Sequence, residues 1–93
     1  MRLSAIQKDV LFVLFAIRSK GKAGPVPGMA LLGMINRGRA PEVFASNFRA
    51  SCHTLVDNGL LHKYRDEQLN LGFSLTEEGA ERGAKIYQDR AKE

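Results

Sequence analysis

Ninety-three residues suit one domain spanning residues 1–93, which buries roughly 60–65% of its unfolded surface and folds alone with little to spare. A single cysteine excludes an internal disulfide, and the apolar run Val10 to Ile17 is too short to span a bilayer and is followed by Arg18-Ser19-Lys20 instead of a small-residue cleavage site; a cytoplasmic protein with no membrane partner is expected. The net charge of +4 is uneven, with seven basic side chains to one acidic over residues 1–40 and seven to nine over 41–93, a balance compatible with a polyanionic partner.

The first helix is predicted from Ser4 to Ser19. Ser4-Ala5-Ile6-Gln7 has the form of a capping box, in which hydroxyl and amide each satisfy the other's backbone N–H. Ile6, Val10, Val13, Leu14 and Ile17 make an inner stripe, and Leu3, Leu11, Phe12 and Phe15 widen the apolar arc beyond the roughly 100° that a surface helix needs. Another helix of the chain or a second subunit should cover the excess. Ser19 to Val26, with two glycines, a proline and two lysines, reads as a loop. Pro27 then opens a second helix to about Asn36, with Met29, Leu32 and Ile35 inward, and Arg37-Gly38-Arg39 turns into the third.

Ala40 to Leu61 is the stretch around which the chain is organised. Pro41 suits a first helical turn, and Phe44, Phe48, Cys52 and Leu55 share one face. The opposite side carries Glu42, Ser46, Arg49, Ala50, His53 and Asp57: small or hydrogen-bonding groups with one arginine. Asn58-Gly59 closes the helix, Gly59 taking the left-handed position and Leu60 folding back. Leu61 to Arg65 alternates as a strand, Asp66 to Asn70 is a polar turn, and Leu71 to Leu75 is the return strand. Thr76 caps a last helix to about Arg90, with Glu77 and Glu78 in its first turn and the thin stripe Ala80, Gly83, Ala84 and Tyr87 facing inward.

The fold class is therefore mainly α with a small β-hairpin (α+β), in the order helix-helix-helix-strand-strand-helix. Leu55-Val56-Asp57-Asn58-Gly59-Leu60-Leu61 resembles the end of a recognition helix running into the first strand of a wing, and Phe73-Ser74-Leu75-Thr76-Glu77-Glu78-Gly79 resembles the second wing strand running into the final helix. On these residues the chain, from about 4 to 90, is similar to winged helix-turn-helix DNA-binding proteins, small bacterial or plasmid-borne regulators. The resemblance implies a transcriptional regulator or plasmid-maintenance factor that binds double-stranded DNA, with helix 3 (about 41–58) in the major groove. Ser46, Asn47, Arg49, Ala50 and His53 are then the candidates for base edges, where Arg49 suits guanine and Asn47 adenine. Arg37, Arg39, Lys63 and Arg65 are the candidates for phosphates, with Gln68 and Asn70 at the wing tip. A homodimer is expected, with Leu11, Phe12, Phe15 and Tyr87 at its interface. Against this stand Glu42 and Asp57, which repel phosphate if they face DNA, and an acidic wing tip, Asp66-Glu67. The alternative is a winged-helix module that binds proteins and not DNA.

No enzyme is expected, and no cofactor. The chain has no Gly-rich phosphate loop, no Cys-x-x-Cys pair and no His-Glu-x-x-His run. Cys52 and His53 are neighbours that point about 100° apart on a helix, a poor start for a metal site, and Cys52 reads as a small buried hydrophobe.

Overall fold

The computed structural model describes residues 2–22 and 24–92; Met1, Glu93 and Ala23, which falls in the expected loop, lie outside the described residues. The elements are α1 (Ala5–Ser19), β1 (Val26–Pro27), α2 (Gly28–Asn36), α3 (Ala45–Asp57), β2 (Leu61–Arg65), β3 (Leu71–Leu75) and α4 (Glu77–Ala91). α1 starts as its sequence dictates: Ser4 N–H donates to Gln7 Oε1 at 2.8 Å and Gln7 N–H to Ser4 Oγ at 3.2 Å. The excess apolar arc of α1 is covered by α4 of the same chain. Leu11 is fully buried, Gly83 lets α4 approach the Leu11 carbonyl and Phe15, and Tyr87 lies against the rings of Phe12 and Phe15 at centroid distances of 5.5 and 5.6 Å. Leu11 consequently has no surface to give to a subunit interface, which corrects that part of the expectation.

Two boundaries differ from the sequence reading. Val26-Pro27 is a short edge strand, antiparallel to β3 through Val26↔Phe73 and Pro27↔Gly72, so the sheet has three strands in the order β1-β3-β2. Proline is tolerated there because an edge position needs no N–H from it. Pro27 is the N-cap of α2 and not its first helical residue. Within α2, Leu31, Leu32 and Ile35 are buried while Met29 is 74% exposed, reversing the expected inward Met29.

The second difference is the start of α3. Asn36 holds both backbone groups of Val43: its Nδ2 donates to the Val43 carbonyl at 3.2 Å and its Oδ1 accepts the Val43 N–H at 2.8 Å. Val43, so held and buried, cannot join a helix, and Phe44 becomes the N-cap. Pro41 and Glu42 therefore lie in the α2–α3 turn, and Phe44, expected in the buried stripe, is 73% exposed. Val43 and Phe48 occupy the two positions of a hydrophobic staple and are both buried. Phe48, Cys52 and Leu55 carry the stripe into the core beside Val10, Leu14 and Phe73.

α3 ends as expected. Gly59 is at φ 77°, its N–H donates to the Val56 carbonyl at 3.0 Å, and the N–H of buried Leu60 donates to the Leu55 carbonyl at 2.9 Å. This double bond pattern turns the chain sharply into β2. β2 and β3 pair antiparallel from Leu61↔Leu75 to Arg65↔Leu71. Thr76 then caps α4, accepting the Gly79 N–H at 3.0 Å and donating to the Gly59 carbonyl at 2.6 Å, so one hydroxyl links the end of α3 to the start of α4.

Candidate nucleic-acid interface

The buried stripe of α3 fixes which side of the helix is left outside. With Phe48, Cys52 and Leu55 inward, Ser46, Asn47, Arg49 and Ala50 are exposed and His53 is half-buried. This is the polar side expected from the spacing. Glu42 is not on it, because the helix begins three residues later; Asp57 stands at the far, C-terminal end. Phe44 supplies no side-chain cap, so the first-turn N–H groups of α3 keep no side-chain partner.

The wing brings its cations to the same side. Cross-strand partners share a face, so Lys63, opposite Phe73, and Arg65, opposite Leu71, stand on the α3 side of the ribbon, while His62, Tyr64 and Ser74 occupy the other. A groove of about 710 Å³ runs between α3 and the wing, with Arg49, His53 and Arg65 on its polar walls and Met29 and Leu69 on its apolar ones. Arg65 Nη1 donates to the Leu69 carbonyl at 2.9 Å, which holds the arginine against the turn.

The remaining phosphate candidates are disposed differently. Arg37 is exposed at the C-cap of α2. Arg39 is drawn away: its Nε donates to Asp9 Oδ2 at 2.6 Å, and Arg90 Nη2 donates to Asp9 Oδ1 at 2.7 Å while its guanidinium lies 4.5 Å from the Phe12 ring centroid. Arg39 thus closes the α2–α3 turn onto α1 and is removed from the phosphate set. These are the two ion pairs among the described residues, so Arg37, Arg49, Lys63 and Arg65 have no carboxylate partner there.

At the wing tip Asp66 is an organiser. Its Oδ1 accepts the N–H groups of Gln68 at 2.8 Å and Asn70 at 2.9 Å, and its Oδ2 accepts Asn70 Nδ2 at 3.3 Å. Chiefly the Asn70 N–H bond holds the Asp66 carboxyl below the usual carboxylate range. Asn70's side chain is therefore engaged within the turn, whereas that of Gln68 makes no such bond; both residues are exposed. The sequence reading missed both acidic organisers. Asp9 was marked by being the lone acid among seven basic residues, and Asp66 by having Asn70 four residues on.

Burial pushes the Cys52 thiol up to about 12, which makes it a core hydrophobe and a poor ligand or nucleophile. Among the described residues no group of three or more His, Cys, Asp or Glu side chains is placed to hold a metal, and no helix is long and apolar enough to cross a membrane.

Three helices, an antiparallel hairpin packed against the third and a helix leading out of it make this a winged helix-turn-helix domain. No protein-family model and no curated protein sequence matches the chain. Solved structures match its fold. RosR of H. salinarum superposes with a TM-score of 0.77 at 23% identity, over 97% of this chain and 76% of that one. The adhesin competence repressor AdcR of Streptococcus pyogenes gives 0.74 at 16%, over 98% of this chain and 60% of its own. SSV1 F-93 gives 0.70 at 13%, over 99% and 92%. At these identities the likeness is one of fold.

Proposed function

We propose that this chain is a cytoplasmic, sequence-specific binder of double-stranded DNA that regulates transcription, with α3 in the major groove and the β2–β3 wing beside the flanking backbone. The observation that carries this reading is the bare polar side of α3, Ser46, Asn47, Arg49 and Ala50, of which Arg49 shares one groove with His53 and Arg65. Arg49 forks to guanine, Asn47 bridges adenine, and His53 reads the next turn of the groove. Arg37, Lys63 and Arg65 meet phosphates, as do the uncapped amides at the start of α3. Plasmid maintenance would draw on the same contacts, but AdcR, which shares the fold, is named as a repressor, and that favours regulation.

A homodimer through the α1–α4 face would set two recognition helices about one DNA turn apart on a palindrome. Tyr87 is 40% exposed on that face beside half-buried Phe12 and Phe15 and supplies the apolar contact.

The test is a gel-shift titration on a duplex selected from a random-sequence pool, run at several salt concentrations. Three phosphate contacts per chain give a log–log slope of about −3 per bound chain. The second reading, a protein-binding module, draws on the exposed Met29, Phe44 and Leu69. It requires no duplex binding at physiological salt, and that result would overturn the first.

A further inference from the structure

The turn from β2 to β3 is built around one exposed apolar side chain. Leu69 has φ 64°, a left-handed conformation that a leucine holds only where its surroundings over-determine it. Those surroundings are on hand. Leu69 N–H donates to the Asp66 carbonyl at 2.9 Å, Arg65 Nη1 donates to the Leu69 carbonyl at 2.9 Å, and Asp66 N–H donates to the Asn70 carbonyl at 3.1 Å. The three bonds to the Asp66 carboxylate brace the same five residues. The product of this bracing is a leucine side chain left 69% exposed. A lone exposed leucine is ordinary; one held outward in a conformation that Asn70, its neighbour, would take at lower cost calls for a reason.

The groove supplies it. Leu69 on the wing and Met29 on α2 form apolar lips over the basic groups Arg49, His53 and Arg65. A sugar–phosphate strand has the matching character, anionic at each phosphate and apolar on the deoxyribose faces between them. Residues 66–70 contain no cation, so the tip has no means of pairing with phosphate by charge. We propose that Leu69 is an apolar nucleic-acid contact: one strand of the duplex lies in the groove between α3 and the wing, and Leu69 rests on its deoxyribose faces at the edge of the adjoining minor groove. This rests on the DNA-binding reading above and adds a contact whose energy is independent of salt.

The experiment compares wild type with Leu69→Gly, Leu69→Ala and Arg65→Ala on the duplex selected by the wild type. It measures affinity across salt, sugar protection by hydroxyl-radical footprinting, and thermal unfolding. Leu69→Gly removes both the side chain and the backbone cost, so it melts at or above wild type while binding about fivefold more weakly, as loss of a partly buried leucine implies. Leu69→Ala weakens binding similarly. Neither changes the salt slope, and both lose protection of the sugars flanking the site. Arg65→Ala lowers the slope by about one. Wild-type affinity and footprint in both Leu69 variants overturn the proposal, as does a slope lowered like that of Arg65→Ala. Failure of the wild type to bind any duplex is seen before a variant is made, and it removes the DNA-binding reading together with this one.

Discussion

Replacing helical glycines by alanine in three different settings gives a graded test of the packing. Gly79 lies in the first turn of α4, where an added Cβ would be 1.9 Å from the Leu60 carbonyl oxygen and 2.9 Å from its carbon. That carbonyl cannot swing aside: it accepts the Thr76 N–H at 3.2 Å, and Leu60 is itself held by its N–H bond to Leu55 and is 1% exposed. Relief needs a shift of about 1 Å or more, enough to break the Thr76 bond and disturb the cap. Overpacking costs roughly 1–3 kcal/mol and the disturbed bonds about 1 kcal/mol each, against a helix-propensity gain of about 1 kcal/mol. Gly79→Ala is therefore expected to destabilise by about 2–3 kcal/mol, lowering Tm by roughly 10–20 °C in a domain of this size. At Gly83 the added Cβ would sit 3.0 Å from the Leu11 carbonyl oxygen and Phe15 Cβ, so strain and propensity nearly cancel and stability stays within about 1 kcal/mol of wild type. At Gly33, on the exposed side of α2, nothing lies within 4 Å, and alanine stabilises by about 0.5–1 kcal/mol. Thermal melts followed by circular dichroism rank the three. A Gly79→Ala protein melting at or above wild type, or a Gly33→Ala protein melting below it, would refute the reasoning.

Arg49→Ala should weaken binding to the selected duplex by about 1–3 kcal/mol and relax its base preference, while Lys63→Ala weakens selected and random duplexes alike; competition binding tells them apart. The Cys52 thiol, raised from 9.0 to about 12 by burial, keeps its proton in the folded state, so stability is complete below pH 9 and falls as pH rises from there toward 12. Denaturant midpoints in that window should fall less in Cys52→Ala, and Cys52 should react with a thiol reagent only on unfolding. Asp66, whose carboxyl is lowered chiefly by the Asn70 N–H bond, braces the wing tip above its ordinary value of 3.8 and loses that hold as pH falls below it. Asp66→Ala should speed amide exchange at Gln68 and Asn70 while leaving the midpoint of global unfolding unchanged.

What the sequence made legible is what it states locally. The capping box at Ser4, the Thr76 cap and the Asn58-Gly59 stop each involve residues within a few positions of one another, and each stands in the structure. The exposed side of α3 followed from the spacing of Phe48, Cys52 and Leu55, while Phe44, expected on the same buried face, is exposed. What stayed hidden depends on partners far along the chain. β1 is two residues long and exists through its pairing with Phe73 and Gly72. Met29 faces outward against the expected inward placement because Met29 to Ile35 is apolar nearly all round, so its pattern names no inner face. The late start of α3 comes from Asn36 gripping Val43, seven residues on, and Arg39 was lost to Asp9, thirty residues back.

These long-range partners also change the electrostatic reading of the interface. On formal charge the acids of the region are Glu42, Asp57 and the Asp66-Glu67 tip, and they weigh against a polyanion. The structure moves Glu42 off α3, leaves Asp57 at its far end, and engages the Asp66 carboxylate, which stays exposed, in three hydrogen bonds within the turn. It also subtracts a cation, since Arg39 and Arg90 share Asp9. Arg37, Arg49, Lys63 and Arg65 remain, and Arg65 gives the Leu69 carbonyl one of its five N–H donors, keeping the rest. Four cations are too few to bind DNA tightly at physiological salt by charge alone. Under the proposed DNA-binding role the deficit would be met by contacts that salt does not screen, namely base edges under α3 and the apolar contact proposed at the wing. A binder so built would hold random sequence weakly and owe its affinity to the fit of one site.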